Sequence, residues 1–409
     1  MNPRYFYILV FCFSSLVSVS RAQFVTVDGK RIVDPEGETI LLKGTNLGNW
    51  LVPEGYMFKM HEVNSPHKIH TLLSEMIGPE ETGKFWDSYL DRYIREEDIL
   101  YLKSLGLNHL RLPFHYKLLT DEDYLGRNYH GFVYFDRAVE WCRKAGLYLL
   151  FDMHCAPCGQ TGDNIDDSDG YPYLFESPMC QEQIIDIWRR IAERYKDEPI
   201  VFGYDLMNEP IAHYFEADFA RLNPELPALY KRIVAAIREV DTNHLVFLNG
   251  AQWSTNFDVF GPPFDDKLVY EFHKYWFEVK HEAIQEYIDF SERHNVPIYI
   301  GETGENTDEW VKSFRILLEQ NQIGWCFWPY KKMNNTSGIM NFNEPGTYHF
   351  ITEYAKSDRR SYKAIRENRP PKQEVLNALT GFLENCLHAQ NFANAGYIEA
   401  LGLSAREPK

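Results

Sequence analysis

Eight apolar runs alternate with helix-period segments along this chain, and that alternation constrains its fold more than any other feature. The runs, which end in polar residues or glycine, are Thr39–Asn46, His109–Pro113, Tyr148–His154, Val201–Glu209, His244–Gly250, Leu268–Tyr275, Pro297–Thr303 and Gly324–Tyr330. Between most of them lie the helix-period stretches Glu96–Leu105, Tyr134–Ala145, Gln181–Tyr195, Pro224–Val240, His281–His294 and Glu309–Asn321. Strands that alternate with helices form parallel βαβ units. Eight such units predict a single α/β domain, a (β/α)8 TIM barrel; a two-domain α/β arrangement would need a linker, and we find none.

Three segments do not fit the repeat. Residues 24–42 alternate apolar and polar residues around two turns, which predicts an N-terminal β-hairpin at the bottom of the barrel. The connections Leu51–Arg95 and Cys155–Cys180 are too long for ordinary βα loops 1 and 3, so we expect them to wall the active-site face. The catalytic barrel would span residues 23–369, and residues 370–409 would form a short helical tail packed on it.

The first 22 residues have the pattern of a signal peptide. Arg4 precedes the apolar run Tyr5–Phe13, and small residues lead to Ser20-Arg21-Ala22. The run is too short to span a bilayer. We expect cleavage before Gln23 and a secreted monomer, extracellular or periplasmic, without a membrane association after cleavage.

The charge and the cysteine content limit the classes of partner and the kinds of site that this chain can have. With 42 basic and 59 acidic residues the formal charge is −17, which argues against nucleic acid or an anionic membrane as the main partner. An exported chain can form disulfides, so we expect Cys155, Cys158 or Cys180 to fix the long βα loop 3. Cys155-Ala-Pro-Cys158 has no second CxxC motif beside it, so we expect neither a metal site nor a cofactor.

Polar residues at the carboxyl ends of barrel strands are the expected catalytic residues. These positions hold Arg111, His154, Asn208, Glu209, His273, Tyr275, Glu302 and Trp328. Glu209 ends the fourth run and Glu302 ends the seventh, so the two carboxylates would face each other across the barrel mouth. Two facing carboxylates are what the cleavage of a glycosidic bond requires.

The motifs around these residues resemble glycoside hydrolase family 5. They are Asn208-Glu209-Pro210, His273-Lys-Tyr275, Gly301-Glu302-Thr-Gly, Gly324-Trp-Cys-Phe-Trp328 and Arg111 within His-Leu-Arg-Leu-Pro. The segments Gly44–Tyr56 and Asp152–Gln160 are similar to the exo-β-1,3-glucanase branch of that family. The chain departs from the branch pattern where Cys155 and Cys158 replace glycines and Gly55 replaces a proline.

The resemblance implies a role for each residue of the site. Glu209 would be the acid/base and Glu302 the nucleophile of a retaining mechanism, with Arg111 and Tyr275 holding Glu302 ionised. Asn208 would bind the 2-hydroxyl of the sugar at the cleavage site.

The remaining positions would bind the same sugar. His154 and His273 would line the cleft, and Trp328 would carry the sugar ring and precede a cis bond to Pro329. Glu54 and Tyr56 would contact the far hydroxyls. Three more tryptophans are expected to be either further sugar platforms or core residues: Trp50, Trp253 and Trp276.

The expected function is a secreted retaining β-glycoside hydrolase that cleaves β-1,3- or β-1,4-glucosidic bonds of β-glucan and acts from chain ends. The alternatives within the family are an endo-β-1,4-glucanase, a β-mannanase and a glucosyl-lipid hydrolase. A glycan-binding barrel without catalysis would be free to lose a carboxylate, yet both are present. A metal-dependent hydrolase would need a clustered His/Asp set, which the strand ends lack.

Overall fold

Eight parallel strands form a closed barrel in the computed structural model, which describes residues 24–404. The barrel strands are β3 (Lys43–Asn46), β4 (His109–His115), β5 (Tyr148–Cys155), β6 (Val201–Asp205), β7 (Leu245–Asn249), β8 (Leu268–His273), β9 (Ile298–Glu302) and β10 (Gly324–Phe327). Each strand pairs with the next in the chain, and β10 pairs with β3 to close the barrel. The predicted (β/α)8 barrel is therefore confirmed, and a barrel strand overlaps each of the eight runs.

Helices follow most barrel strands. They are α1 (Pro66–Ile77), α2 (Pro79–Arg92), α3 (Glu96–Leu105), α4 (Phe132–Ala145), α5 (Pro178–Tyr195), α6 (Phe219–Leu222), α7 (Glu225–Arg238), the short turn α8 (Ala251–Ser254), α9 (Gln285–His294), α10 (Asp308–Gln320), α11 (His349–Lys356), α12 (Tyr362–Asn368), α13 (Lys372–Asn385) and α14 (Ala395–Ala400). Each of the six predicted helical stretches coincides with a helix.

An antiparallel hairpin precedes the barrel, as predicted. It consists of β1 (Thr26–Asp28) and β2 (Arg31–Val33). Val25 and Ile32 belong to one apolar cluster with Phe202 and Phe247 of the barrel strands. The hairpin thereby buries apolar side chains that would otherwise be exposed to water at that end of the barrel.

The segment between Leu51 and Arg95 is not an open loop, because helices α1 and α2 occupy most of it. Pro66 follows Ser65 and Pro79 follows Gly78, and proline suits the first position of a helix. Helix α13 of the tail packs against both helices, and Phe382 stacks on Phe58 at 5.1 Å between ring centroids. The first long connection is thus a helical insertion held by the C-terminal residues.

The second long connection, βα loop 3, is fixed by a disulfide between Cys158 and Cys180. Cys155 is buried, and its thiol donates to the carbonyl of Ile165 at 3.2 Å. Asp166 accepts hydrogen bonds from backbone N–H groups within the same loop, so the loop has a defined shape. Of the three candidate cysteines, Cys158 and Cys180 form the disulfide, and Cys155 remains a thiol.

The tail also completes a small sheet. Strands β11 (Lys331–Met333), β12 (Met340–Phe342) and β13 (Phe392–Ala393) pair outside the barrel, and α14 packs on α10. The predicted signal peptide lies outside the described residues. Within residues 24–404 we find no helix with the length and apolar character needed to cross a membrane.

Candidate functional site

Arg111 belongs to strand β4 and is fully buried. Its Nη1 donates to Glu302 Oε1 at 2.6 Å and to Asn46 Oδ1 at 3.0 Å. Its Nε donates to Asp205 Oδ2 at 2.8 Å, and its Nη2 donates to Asn208 Oδ1 at 2.9 Å. The rigid guanidinium fork therefore orients residues from four other strands and loops at once.

The two candidate catalytic carboxylates are close together. Glu302 is the last residue of β9, whereas β6 ends at Asp205, so Glu209 lies in the following loop rather than at the end of a strand as expected. His273 Nδ1 lies 2.8 Å from Glu209 Oε1 and 3.9 Å from Glu302 Oε2. One oxygen of each carboxylate and a ring nitrogen of His273 lie within 4.8 Å of one another. Glu209 has a φ of 43°, a left-handed backbone conformation that is strained for a non-glycine residue.

The two carboxyl groups differ in their electrostatic surroundings. Burial raises the pKa of Glu209 well above its ordinary value, and the charge of Glu302 raises it further. Burial also raises the pKa of Glu302, but the adjacent Arg111 guanidinium counteracts that effect. Tyr275 donates its hydroxyl to Glu302 Oε2 at 3.3 Å. Glu302 is therefore the group better held as a carboxylate, and Glu209 the better proton donor.

His154 connects the floor of the site to its aromatic wall. Its Nδ1 lies 2.8 Å from Asp152 Oδ2, and its Nε2 faces Asn208 Nδ2 at 3.4 Å. Burial lowers the pKa of His154 to about 4, so the neutral ring donates to Asp152 and accepts from Asn208. The ring stacks on Trp328 at 5.5 Å between centroids.

A chain of contacts fixes Trp328. Its indole N–H donates to the hydroxyl of Tyr56 at 2.7 Å, and that hydroxyl donates to Glu305 Oε1 at 3.3 Å. Lys332 forms an ion pair with Glu305 and lies 4.8 Å above the Tyr56 ring. The hydroxyl of Tyr56, expected to meet a sugar, is thus engaged in orienting Trp328. The Trp328–Pro329 bond is cis, as predicted.

Glu54 presents an unused acceptor to the site. The residue is 4% exposed, and its Oε1 has no hydrogen-bond partner among residues 24–404. Burial, followed by the charges of Glu302 and Glu305, raises the pKa of Glu54 well above its ordinary value. A buried polar atom without a partner is unfavourable, so this oxygen is suited to a ligand hydroxyl.

The other candidate platform residues divide into core and rim. Trp50 is fully buried and stacks on Trp141, so it belongs to the core. Trp276 is 72% exposed and packs against Tyr275 at 5.2 Å. Trp253, in the turn after β7, meets Tyr214 edge to face at 5.0 Å. These rim aromatics are available to a ligand.

Sequence reasoning missed three buried acids beneath the site. Asp152, Asp205 and Glu271 are fully buried, and each lies within 3.6 Å of Arg111. A signal was present, because all three are charged residues inside otherwise apolar runs, where charged side chains are rare unless paired.

Within residues 24–404, two groups of side chains bring donor atoms of metal-binding type within 4.8 Å of one another. They are Asp152, His154 and Glu302, and Glu209, His273 and Glu302. Both groups contain Glu302, which accepts from the Arg111 guanidinium at 2.6 Å. A divalent cation at Glu302 would be repelled by that neighbouring positive charge. The Arg111 guanidinium therefore makes both groups unfavourable positions for a divalent cation.

Protons held on the buried acids predict a specific pH dependence of stability. Burial raises the pKa of both Asp152 and Asp205 to about 7. In the unfolded chain aspartate ionises near pH ~4, so the stability contributed by each group is present below that pH and is lost as pH rises towards 7. Asparagine mimics the protonated acid at every pH. The free energy of unfolding of Asp205→Asn should therefore rise relative to the unaltered protein between pH ~4 and ~7, by roughly 1–3 kcal/mol.

Urea denaturation at several pH values measures this difference. Histidines remote from Asp205 titrate equally in both proteins, so their effects cancel. The charge of Asp205 raises the pKa of His154, but that pKa is about 4, at the acidic end of the range measured. Asp169→Asn, at an exposed position, is the matched control and should give a constant difference. A constant difference for Asp205→Asn would contradict the prediction.

The chain matches known proteins in both sequence and structure. The sequence profile Cellulase (glycosyl hydrolase family 5) matches residues 76–334, more than half of the chain. A "Beta-xylosidase" of Phanerodontia chrysosporium is 32% identical over 58% of this chain, and the chain spans about half (48%) of that relative. "Endoglucanase C" of Acetivibrio thermocellus is 29% identical over 61% of this chain and 88% of the relative. A "Probable glucan 1,3-beta-glucosidase A" of Aspergillus fumigatus is 27% identical over 53% of this chain and 51% of the relative.

Solved structures share the fold. An endogalactoceramidase has a TM-score of 0.60 at 17% identity and covers 92% of this chain and 84% of its own. The AoRut structure has a TM-score of 0.58 at 20% identity and covers 72% of this chain and 89% of its own. At these identities the likeness supports the barrel alone. The profile match supplies the family, and the chain belongs to glycosyl hydrolase family 5.

Proposed function

We propose that the protein is a retaining β-glycosidase that removes sugar residues from the ends of β-glucan chains by double displacement. The main support for the proposal is the Glu209–Glu302 pair. One oxygen of each carboxylate lies within 4.8 Å of the other, and Arg111 donates a hydrogen bond to Glu302. Retaining glycosidases hold their carboxyl groups ~5–5.5 Å apart, whereas inverting enzymes need ~6.5–9.5 Å to admit a water.

In the first step Glu302 attacks the anomeric carbon, and Glu209 donates its proton to the leaving oxygen. Arg111 and Tyr275 hold Glu302 in place and keep it ionised until the new bond forms. In the second step Glu209, now ionised, takes a proton from the water that releases the sugar from Glu302. The amide of Asn208, fixed by Arg111, is positioned for the 2-hydroxyl of the reacting sugar.

Contacts between two loops support action on chain ends. Tyr56 and Lys59 follow β3, whereas Glu305, Lys332 and Asn334 follow β9 and β10. The Tyr56–Glu305 hydrogen bond and the Lys59 Nζ to Asn334 carbonyl contact at 3.3 Å join these segments beside Trp328. We infer that the joined segments close one end of the cleft. A cleft closed at one end is a pocket, which admits the terminal sugar and excludes the middle of a chain. The unpartnered Glu54 oxygen would accept a hydroxyl of that sugar.

The rim aromatics would then bind the leaving part of the substrate. Trp253 and Tyr214 extend from the loops after β7 and β6 and contact each other. Tyr214 follows Glu209 in the same loop, so we assign both rings to the side of the acid/base that protonates the leaving oxygen. Trp328 would carry the terminal sugar ring on the opposite side, beside Glu54. Aromatic faces bind the apolar faces of sugar rings at low entropic cost because the rings are already fixed.

Secretion is part of the same proposal. The signal peptide pattern of residues 1–22 supports export, and the Cys158–Cys180 disulfide is typical of oxidising compartments. We propose a secreted monomer whose partner is a β-linked oligo- or polysaccharide.

Endo-action on β-1,4-glucan is the second candidate, because Endoglucanase C aligns with this chain over 88% of its length. Product analysis separates the two. The mature protein would be incubated with laminarin, lichenan, carboxymethylcellulose, mannan and short β-gluco-oligosaccharides. Glucose from laminarin without an early fall in viscosity would support the exo proposal. Oligosaccharides from a β-1,4-linked polymer would overturn it in favour of an endoglucanase, and those from mannan in favour of a β-mannanase. Inactivity on the whole panel and on glucosylated lipids would contradict both.

A further inference from the structure

A buried Glu–His–Glu chain lies directly beneath the acid/base carboxyl. His273 Nδ1 lies 2.8 Å from Glu209 Oε1, and His273 Nε2 lies 3.2 Å from Glu271 Oε1. Glu271 and His273 both belong to β8, and residues two apart in a strand point to the same face. A single imidazole therefore connects the carboxyl group that faces the substrate to one that is fully buried.

The space around Glu271 is built to hold this carboxyl group. Its Oε1 occupies the position beside Gly301 where a side chain would begin, since a Cβ there would lie only 1.5 Å away. Glycine at 301 therefore lets Glu271 pack beneath the neighbouring Glu302. The other oxygen, Oε2, has no hydrogen-bond partner in the described part of the chain. A buried carboxylate with a purely structural role would have hydrogen-bond partners for both of its oxygens.

The charges around Glu271 favour retained protons. The single guanidinium of Arg111 lies within 3.6 Å of four carboxyl groups, those of Asp152, Asp205, Glu271 and Glu302. If all four were ionised, three excess negative charges would lie in a water-poor space, which is strongly unfavourable. The other titratable groups that face Glu271 are Tyr230, Tyr299 and Cys326, and burial raises the pKa of each. Burial likewise raises the pKa of Glu271 well above its ordinary value.

We propose that Glu271 is a positioning residue for the acid/base and shares one proton with Glu209 through His273. In one arrangement Glu209 is protonated and donates to Nδ1, while Nε2–H donates to the ionised Glu271. In the other, Glu271 is protonated and donates to Nε2, while Nδ1–H donates to the ionised Glu209. The two arrangements contain the same number of protons and a neutral imidazole, and they differ by the concerted shift of two protons.

This relay rests on the proposed function and adds a reason why one carboxyl can serve as acid and then as base. The first arrangement presents the proton that the leaving oxygen needs. The second presents the carboxylate that must accept a proton from water. Because an ionised Glu271 accepts from Nε2–H, it leaves Nδ1 free to accept from Glu209, and so it favours the protonated acid.

Glu271→Gln tests the relay. The amide has nearly the same shape but neither takes up the proton nor carries the charge that keeps hydrogen on Nε2. We expect the alkaline limb of the kcat/KM profile, which reports the protonated Glu209, to move to lower pH by about one unit. The ring ¹⁵N shifts of His273 should move from Nε2–H towards Nδ1–H, and this readout does not require turnover.

The matched control is Asp241→Asn, which alters another buried acid–histidine pair. Asp241 Oδ2 lies 2.6 Å from Nδ1 of His244, before β7 and away from the strand ends that carry the site. This variant should lose stability and keep the unaltered pH profile. A Glu271→Gln profile that superimposes on that of the unaltered protein would overturn the relay.

Two other results also bear on the relay or on the proposed function. If Glu271→Gln does not fold, Glu271→Asp shortens the carboxyl by one methylene and must move the alkaline limb in the same direction; no movement would overturn the relay. An unaltered protein without glycosidase activity would contradict the proposed function instead, and the tautomer of His273 would still decide whether Glu271 controls it.

Discussion

Glu302→Ala is expected to lower kcat/KM for a β-glucoside by on the order of 10⁴-fold, because the covalent step loses its nucleophile. Glu209→Ala should lower it by about 10²–10⁴-fold, the usual contribution of a positioned acid or base. The structure predicts which loss is larger. Glu302 is the carboxylate that Arg111 and Tyr275 hold for attack, whereas a substrate with a good leaving group partly bypasses Glu209.

Added formate or azide distinguishes the two roles. In Glu302→Ala a small anion can enter the vacated space and attack the sugar from the nucleophile's side, giving a product of inverted configuration. In Glu209→Ala the glycosyl–Glu302 intermediate still forms, so the anion attacks from the opposite side and the product keeps its configuration. Kinetics together with NMR of the anomeric proton measure both results. The opposite pattern of products would exchange the assigned roles, and full activity in Glu302→Ala would contradict the mechanism.

Glu305→Ala is the control within the same segment. Glu305 lies three residues after the nucleophile and contacts Tyr56 and Lys332 rather than Arg111. Its loss should disturb the orientation of Trp328 and so raise KM more than it lowers kcat. Small anions should not restore its activity, because no space opens at the reacting carbon.

The barrel could be predicted because each strand is a short apolar run bounded by polar residues, and each intervening helix has its own period. Helices α1 and α2 were missed although Pro66 and Pro79 mark their starts, because the whole segment was interpreted as one loop between two strands. The sheet β11–β12–β13 leaves no comparable pattern. Its strands have two or three residues, and Met340 pairs with Ala393 across a long stretch of sequence.

In the site, too, residues within local motifs could be predicted from the sequence, whereas contacts between distant segments could not. The ends of the apolar runs and the motif resemblance pointed to Glu209 and Glu302, and the structure brings one oxygen of each within 4.8 Å of the other. The exact place of Glu209, in the loop after β6, was not predicted. The part played by Lys332 and Glu305 could not be predicted, because it depends on a side chain after β10 reaching one after β9. The contact of Tyr56 with a sugar stays a prediction, and in the structure its hydroxyl also accepts the indole N–H of Trp328. The sequence contains no sign that Trp328 would use it.

The buried acids beneath the site make Arg111 the residue whose loss should damage the fold most. Arg111→Met fills similar space but leaves the carboxyl groups of Asp152, Asp205, Glu271 and Glu302 without their shared cation. Removing one partner of a buried ionic group typically lowers stability by about 3–5 kcal/mol, because the remaining charge has no compensation. Protonation of Glu302 in the variant would also remove the nucleophile, so activity should be lost.

Chemical denaturation of a small series measures this effect and isolates its cause. Arg194→Met is the control, since that arginine pairs with Asp136 at the surface with 45% of its side chain exposed, and its loss should cost about 0–1 kcal/mol. Adding Asp205→Asn to Arg111→Met should recover part of the lost stability, because one uncompensated carboxyl group is removed. If stability falls in Arg111→Met and Asp205→Asn restores none of it, the loss comes from packing rather than charge. Recovery without activity would instead separate the two functions of Arg111, since the fold needs the charge of the cluster to be balanced, whereas catalysis needs the guanidinium itself at Glu302.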